Sequence, residues 1–274
     1  MDVNTLFDVK GKVVLVTGGA RGIGLMITEG FVANGATVYI ASRDADACNK
    51  VASTLTSRYS SSSGGRCIAI PADLLQLSEC KRLASELSKE FERGGLDVLV
   101  NNSGVTWGAP LEEFPDEQWD RVLKLNLTRA FTLTQLLLPL LEKSAAAGKE
   151  GEKRGPAAVI NIGSINGLAV PSVENYSYSA SKAGLHHLTR HLSQLLGPRG
   201  VTVNALACGP FDTKMMAFSM RHFRDAIVDG NPMRRHGRPE DVAGACIFLA
   251  SRAGSYVNGA TINVDGGVHL SPKM

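Results

Sequence analysis

VVLVTGGARGIG, at residues 13–24, is a short apolar run followed at once by a glycine-rich loop. The run predicts a buried strand, and the apolar residues that continue beyond Gly24 predict a helix. Glycines let a backbone approach a pyrophosphate closely, and a helix N-terminus offers it unpaired N–H groups. The glycines stand at Gly18, Gly22 and Gly24, however, which is not the G-x-G-x-x-G spacing of dinucleotide sites. The loop by itself favours a phosphate site over a plain tight turn.

Further apolar runs alternate with longer segments of helical period along the chain. The predicted strands are residues 13–17, 37–41, 67–71, 98–101, 159–162, 201–206 and 261–264. Strands that are apolar on both faces, each followed by a helix, predict a parallel sheet that is covered on both sides. The fold class is therefore α/β: a doubly wound parallel sheet of the Rossmann type, with about seven strands and helices on both faces. Because no linker separates two self-sufficient halves, we expect residues 1–274 to form a single domain.

Composition and charge exclude several classes of protein. The chain has 274 residues, of which 44% are hydrophobic and 20% charged, as in a soluble globular protein. Its 29 basic and 26 acidic residues are interspersed, so nothing predicts a nucleic-acid partner. The absence of a signal peptide and of any 18-residue apolar stretch predicts a cytoplasmic protein with no membrane partner. The five cysteines fit neither a disulfide framework nor a metal site.

Three irregular segments interrupt the alternation of strands and helices. Residues 57–66, with a Ser and Gly cluster, and residues 144–156, with five charged side chains, are predicted to be exposed loops. Residues 209–232 contain no strand pattern and are the candidate substrate lid. The alternative for this third segment is a surface helix whose Met and Phe side chains simply belong to the core.

Tyr178 and Lys182 form the strongest candidate for a catalytic pair. They are four residues apart in a segment of helical period, residues 178–196, so they lie on one face and one turn apart. Tyr176 lies six residues from Lys182 and falls on another face. An ammonium beside a phenol stabilises phenolate. Moving the Tyr pKa from about 10 toward 7 takes about 4 kcal/mol, which one close cation together with a cationic cofactor ring could supply. Ser164 follows a predicted strand, at the edge where open α/β sheets bind their ligands.

The set of motifs and their order along the chain indicate a protein family more specifically than any single motif does. The chain contains Thr17–Gly24, Asn101-Asn-Ser-Gly104, Asn126, Ser164, Tyr178-Ser-Ala-Ser-Lys182, Asn204, Gly209, Thr213 and Asp265-Gly-Gly267. In this set the sequence resembles the short-chain dehydrogenase/reductase family over residues 13–267. The stretch after the sixth strand is similar to that of 3-oxoacyl reductases of the rhamnolipid type and of sugar and polyol dehydrogenases.

The resemblance implies a catalytic set of Asn126, Ser164, Tyr178 and Lys182, with no metal. Tyr178 would be the general acid that protonates a carbonyl oxygen, and Ser164 would donate a hydrogen bond to the same oxygen. Lys182 would hold the nicotinamide ribose and lower the pKa of Tyr178. Asn126 would kink its helix around a water molecule that relays protons to Lys182.

The resemblance also implies contacts to a dinucleotide and to a substrate. The cofactor-binding residues would be Gly18, Arg21, Gly22, Ile23, Gly24, Ser42, Arg43, Asp73, Leu74, Asn101, Gly104, Tyr178, Lys182, Gly209 and Thr213. The substrate contacts would be Trp107, Phe211, Met215, Met216 and Phe218. The chain departs from the family at Ser103, where alanine is usual, and at Cys208, where proline is usual.

The end of the second strand predicts NADP(H) as the cofactor. An NAD site places a carboxylate there, and that carboxylate would repel a 2′-phosphate. This chain has Ser42 and Arg43 at that position, and a second guanidinium, Arg21, in the glycine loop. Arginine suits phosphate because its planar fork bonds two oxygens at once. The rival is that Asp44 turns inward and accepts NADH, although Asp44 is better placed to cap the next helix.

We therefore predict an NADPH-dependent ketone reductase that acts on a 3-oxoacyl or other apolar carbonyl compound. The alternatives are a cofactor-binding regulatory protein without turnover and a sugar or polyol dehydrogenase. Family members assemble through the helices that correspond to residues 116–141 and 178–196, so the resemblance implies a homo-oligomer, a tetramer of two-fold symmetry.

Overall fold

The structure describes residues 2–91, 94–149 and 155–270, without the side chains of residues 148, 149 and 218–220. Within these residues, seven parallel strands form one sheet. The structure is a computed structural model. The strands are Val13–Thr17 (β1), Thr37–Ala41 (β2), Arg66–Ala69 (β3), Val98–Asn101 (β4), Ala157–Ile162 (β5), Val201–Cys208 (β6) and Thr261–Val264 (β7). Their order is β3-β2-β1-β4-β5-β6-β7, which confirms the doubly wound sheet. The order reverses between β1 and β4, where open α/β sheets form their binding crevice.

Helices pack on both faces of this sheet. They are Val3–Leu6 (α1), Gly22–Ala33 (α2), Ala45–Tyr59 (α3), Leu77–Glu90 (α4), Asp116–Leu123 (α5), Arg129–Lys149 (α6), Tyr176–Leu196 (α7), Ala217–His222 (α8), Arg224–Asp229 (α9) and Pro239–Ala250 (α10). α2, α3 and α10 bury apolar side chains on one face, and α4, α6 and α7 do so on the other. None of the described helices combines the length and apolar character needed to cross a membrane.

Two predicted loops are shorter than expected. α3 continues to Tyr59 and β3 begins at Arg66, so the first loop is confined to residues 60–65. α6 continues to Lys149, because Ser144 and Ala145 are buried against the sheet. The Ser144 hydroxyl donates to Asp97 Oδ1 at 2.5 Å. Residues 150–154 of the predicted charged loop lie outside the described residues.

Three of the buried polar side chains join the sheet to α7. Asn101 and Asn161 are register partners on β4 and β5, and Asn101 Nδ2 donates to Asn161 Oδ1 at 2.9 Å. Asn161 Nδ2 donates in turn to Thr189 Oγ1 on α7, also at 2.9 Å. All three side chains are buried, so an amide that loses its partner here is neither hydrated nor hydrogen-bonded, which destabilises the folded state.

Replacing Thr189 by valine tests this connection. Thr189→Val keeps the shape of the side chain but leaves the Asn161 amide without its acceptor, so we expect the free energy of unfolding to fall by about 1–3 kcal/mol. Urea unfolding followed by circular dichroism measures the change. Thr132→Val is the matched control, because the Thr132 hydroxyl bonds only the Thr128 carbonyl of the neighbouring helical turn at an exposed position. Its effect should stay within about 0.5 kcal/mol, and equal losses in the two variants would contradict the argument.

Candidate active site

The glycine-rich loop between β1 and α2 is folded tightly on itself. Gly18 and Gly22 have φ angles of +68° and +51°, which glycine adopts without strain. A Cβ on Gly24 would lie 2.2 Å from the Gly18 carbonyl oxygen, and one on Gly18 would lie 2.7 Å from Asn102 Nδ2. Any side chain at Gly18 or Gly24 would therefore displace this backbone.

Thr17 and Asn102 hold the loop against the end of β4. Asn102 Nδ2 donates to the Thr17 carbonyl at 2.8 Å, and Thr17 Oγ1 accepts from the backbone N–H groups of Asn102 and Ser103 at 2.9 and 3.0 Å. Sequence reasoning did not single out Asn102, although it belongs to the quoted motif of residues 101–104. The serine that replaces the usual alanine at 103 fits beside Gly18 without disturbing these contacts.

The loop and the start of α2 fit a dinucleotide pyrophosphate. Arg21, at the N-cap of α2, makes no side-chain capping bond, so the first N–H groups of this helix keep no side-chain acceptor. Such N–H groups bind anions. A Cβ on Gly22 would lie 3.3 Å from Thr213 Cγ2, which places the start of the candidate lid beside the loop. Thr213 and Gly22 are therefore neighbours, and their contact with one cofactor stays a prediction.

Charged side chains lie where β2 ends. Arg43 is exposed, and Arg21 forms an ion pair with Asp44 through Nη2 and Oδ2. The other carboxylate oxygen of Asp44 accepts from the Ala47 N–H at 2.9 Å, which confirms the prediction that Asp44 caps the following helix, α3. Ser42 is half-buried, and its carbonyl accepts from the Ala72 N–H at 3.1 Å.

Two predicted cofactor residues use their side chains elsewhere. Leu74 is buried in the core, and its carbonyl already accepts from Arg129 Nε at 2.8 Å. The Asn101 amide nitrogen is committed to the connection with Asn161, whereas its Oδ1 is buried without a hydrogen-bond partner among the described residues, so the cofactor contact of this residue stays a prediction. Asp73 follows β3, and its Oδ1 accepts from the Leu75 N–H at 3.2 Å.

Ser164, Tyr178 and Lys182 come together at the carboxyl end of β5. Ser164 follows this strand, and its hydroxyl is hydrogen-bonded to that of Tyr178. Lys182 Nζ donates to the carbonyl of Ile162, the last residue of β5, at 2.7 Å and lies 5.5 Å from the centre of the Tyr178 ring. Tyr176 is exposed and bonds Glu174 instead, as its place on another helix face predicts.

Burial governs the ionisation of this pair. It raises the pKa of Tyr178 to about 12, although the hydrogen bond with Ser164 opposes the rise. Burial also lowers the pKa of Lys182 to about 8. The prediction combined Lys182 with a positively charged cofactor ring; without that ring, desolvation of the phenol is the largest influence and the pKa of Tyr178 stays high. At neutral pH Tyr178 holds its proton and Lys182 is mostly charged.

Asn126 lies in a widened helical turn, as the predicted kink requires. Residues Lys124–Thr128 form a π-helical turn between α5 and α6. Asn126 Nδ2 donates to the Val105 carbonyl at 2.9 Å and to Ser181 Oγ at 3.0 Å, and Oδ1 accepts from the Val105 N–H. The side chain thus ties the loop after β4 to α7. A Cβ on Gly104 would lie 3.2 Å from its Oδ1.

His186, one turn beyond Lys182, is a buried residue that sequence reasoning missed. A Cβ on Gly163 would lie 2.1 Å from its Nε2, and one on Gly167 would lie 3.0 Å from its Cε1. Burial lowers the pKa of His186 to about 4, so the ring is neutral at physiological pH. The two glycines bracket Ser164, so the imidazole supports the segment that presents this hydroxyl. The available signal was the four-residue spacing of Tyr178, Lys182 and His186 along one helix face.

Cys208 ends a strand that is longer than predicted. β6 continues for two residues beyond residue 206, because Ala207 and Cys208 pair with Asn263 and Val264 of β7. The Gly209 N–H then donates to the Val264 carbonyl at 3.0 Å. Burial raises the pKa of the Cys208 thiol to about 12, so the thiol is neutral beside Lys182.

The candidate lid consists of short helical pieces. A 3-10 turn, Lys214–Met216, is followed by α8 and α9. Met215 is 50% exposed, Met216 is half-buried and Trp107 is exposed, so these three predicted substrate residues reach the surface. Phe211 is only 1% exposed and packs against Gly237, which makes it a core residue and overturns its predicted substrate contact. The Phe218 side chain lies outside the described residues.

Comparisons with known proteins agree with this geometry. A family model described as enoyl-(acyl carrier protein) reductase matches residues 18–269. The chain is 43% identical to the rhamnolipids biosynthesis 3-oxoacyl-[acyl-carrier-protein] reductase of Pseudomonas aeruginosa, over 96% of this chain and 98% of that protein.

Solved structures show the same likeness. The RhlG/NADP active-site complex of Pseudomonas aeruginosa superposes with a TM-score of 0.88 at 43% identity, covering 97% of this chain and 99% of that one. A putative NAD(P)-dependent gluconate 5-dehydrogenase from Beutenbergia cavernae, with bound NADP at low occupancy, gives a TM-score of 0.85 at 33% identity, covering 97% and 100%. With this match over nearly its whole length, the chain belongs to the short-chain dehydrogenase/reductase family.

Proposed function

We propose that the protein is an NADPH-dependent reductase that converts a ketone, a 3-oxoacyl or other apolar carbonyl compound, to a secondary alcohol. The observation that carries this proposal is the meeting of Ser164, Tyr178 and Lys182 at the end of β5, on the same sheet edge as the glycine loop. The likeness to a 3-oxoacyl reductase and to an NADP complex supports both the reaction and the cofactor.

The side chains divide the chemistry of reduction among themselves. NADPH, when bound, supplies a hydride to the carbonyl carbon. Tyr178, with a pKa of about 12, still carries its proton at pH 7 and gives it to the carbonyl oxygen. Ser164 donates a hydrogen bond to that oxygen and orients it. Lys182, held on the Ile162 carbonyl, places a positive charge beside the phenol, which stabilises the phenolate left after the proton has gone.

The rim of the site fits an apolar substrate body. Leu168, Val170 and Val173, in the segment between Ser164 and α7, are exposed, as are Trp107 and Met215. Exposed apolar side chains in the segment that links Ser164 to α7 favour a ligand that covers them. Residues 209–232 act in this proposal as the substrate lid, with Met215 and Met216 as adaptable contacts.

The two alternatives differ in what they require of these residues. A regulatory protein without turnover has no use for a protonated tyrosine hydrogen-bonded to a serine beside a buried ammonium. A sugar or polyol dehydrogenase uses the same catalytic groups, and the likeness to a gluconate dehydrogenase keeps this alternative open. It calls for polar contacts at the rim, however, where this chain carries Leu168, Val170 and Val173.

We also propose a cytoplasmic homotetramer of two-fold symmetry. Phe131 and Leu195 are 43% and 57% exposed on α6 and α7. Between these helices lies a groove of about 110 Å³, lined by Phe131, Thr134, Gln135, Leu138, Leu192 and Leu196. A second copy that packs there would cover this apolar face. The five cysteines are free and buried, which suits a reducing compartment.

Tyr178→Phe tests the proton donor. The variant keeps the ring and loses only the proton, so we expect kcat for ketone reduction to fall by about 10²–10⁴ while NADPH affinity stays the same. Tyr176→Phe is the matched control on the same helix and should change neither quantity. Steady-state rates of NADPH oxidation and fluorescence titration of NADPH measure the two effects. A loss of about tenfold or less in Tyr178→Phe would contradict the role as general acid.

The cofactor preference is tested at the end of β2. With Ser42 and two guanidinium groups there, we expect kcat/KM to favour NADPH over NADH by on the order of a hundredfold. Ser42→Asp combined with Arg43→Leu should move the preference toward NADH while leaving kcat with the better cofactor within severalfold. A wild-type ratio near one, or one that favours NADH, would overturn the assignment.

The oligomer is tested with glutamates on the proposed interface. Phe131→Glu with Leu195→Glu should dissociate the assembly, because a buried unpaired carboxylate is costly. Light scattering at micromolar concentration should give several times the 29.1 kDa chain mass for the wild type and less for the double variant. Val3→Glu, at an exposed apolar position on α1, is the control and should leave the mass unchanged. A monomeric wild type would contradict the proposal.

A further inference from the structure

The Arg21–Asp44 ion pair occupies the place where the cofactor's 2′-phosphate is expected. Arg21 stands in the loop after β1 and Asp44 follows β2, and these two strands are direct neighbours whose ends, Thr17 and Ala41, are register partners. In dinucleotide folds the ribose of the adenosine half lies at this point. The guanidinium that should receive a phosphate is therefore already bound to a carboxylate of the same chain.

Asp44 performs two separate tasks with its two oxygens. Oδ1 accepts from the Ala47 N–H and caps α3, and Oδ2 holds Arg21. The bond from Ala47 and, to a smaller extent, the Arg21 charge lower the pKa of Asp44, so the carboxylate is ionised at neutral pH. Because the cap needs only one oxygen and no charge, the two tasks can be separated by substitution.

We infer that Asp44 is an internal competitor for the 2′-phosphate of NADP(H): it holds Arg21 in the cofactor-free protein and must release it when the phosphate binds. The exchange replaces one anion by another on the same guanidinium and breaks no covalent bond. Arg43 has no ion-pair partner among the described residues, so it can bind the phosphate directly. Arg21 can bind it only after its ion pair with Asp44 has broken. Asp44 therefore lowers the discrimination between NADPH and NADH that two free arginines would give.

The expected size of the effect follows from exposure. The side chains of Arg21 and Asp44 are 56% and 44% exposed, and ion pairs this open to water are weak. Removing the competing charge should thus tighten binding of a 2′-phosphate by about two- to fivefold. The gain should shrink as salt is added, because salt screens exposed charges.

The test uses binding of cofactor fragments to the full chain, measured by calorimetry. The probes are adenosine 2′,5′-bisphosphate and 5′-AMP, which differ only in the 2′-phosphate. Asp44→Asn keeps an oxygen for the α3 cap and removes the charge, and Asp44→Ser, also a good cap, serves if the asparagine variant melts at a lower temperature. Asp46→Asn is the matched control, because it removes an exposed carboxylate in the first turn of the same helix that does not pair with Arg21.

We expect Asp44→Asn to bind the bisphosphate about two- to fivefold more tightly than the wild type, with 5′-AMP binding unchanged and Asp46→Asn close to wild type. Unchanged or weaker binding of the bisphosphate, or equal tightening by both variants, would overturn the inference. The inference rests on the NADP assignment, which is tested separately by comparing how tightly the wild-type protein binds the two probes. A wild type that binds the two probes equally would reject the 2′-phosphate site itself, and with it the competitor.

Discussion

The hydrogen bond from Lys182 to the Ile162 carbonyl fixes the active site to the sheet. Lys182 is buried on α7, and its ammonium reaches the last residue of β5 at 2.7 Å. A hydrogen bond from a buried ammonium is stronger than one between neutral groups, so this bond favours the position of α7 above the strand. Tyr178 is one helical turn before Lys182 and is thereby brought to Ser164, which follows the same strand.

The side of α7 that faces the sheet is adapted to this anchor. Its buried residues include Ser177, Ser181, Lys182, His186 and Thr189, where a purely structural helix would carry leucine or valine. Ser181 and Thr189 are hydrogen-bonded to Asn126 and Asn161, whereas Ser177 Oγ and the two ring nitrogens of His186 have no hydrogen-bond partner among the described residues. Close packing of His186 under the Ser164 segment requires glycine on both sides of that serine. The catalytic groups thus stand on a rigid polar support rather than on a mobile loop.

Sequence reasoning predicted the sheet well because apolar runs report burial directly. The predicted bounds of β1, β2, β4 and β7 match the structure. β3 ends two residues earlier than predicted and β5 begins two residues earlier, while β6 is longer because pairing with β7, a tertiary contact, extends it. The meeting of Ser164, Tyr178 and Lys182 was predictable from the spacing of the last two and from the family resemblance. The burial of Phe211, the structural role of Asn101 and the Arg21–Asp44 pair depend on what packs against each side chain, which no local pattern encodes.

Tyr178 holds its proton in the cofactor-free protein, and we expect a positive cofactor ring, added to Lys182, to lower its pKa for the reverse reaction. The direct measurement is the tyrosinate absorbance of wild type minus Tyr178→Phe as a function of pH, without and with NADP⁺. We predict a Tyr178 pKa near 12 without cofactor, lowered by at least about one unit when NADP⁺ is bound. Titration near neutrality in the cofactor-free protein, or a pKa that NADP⁺ leaves unchanged, would contradict it.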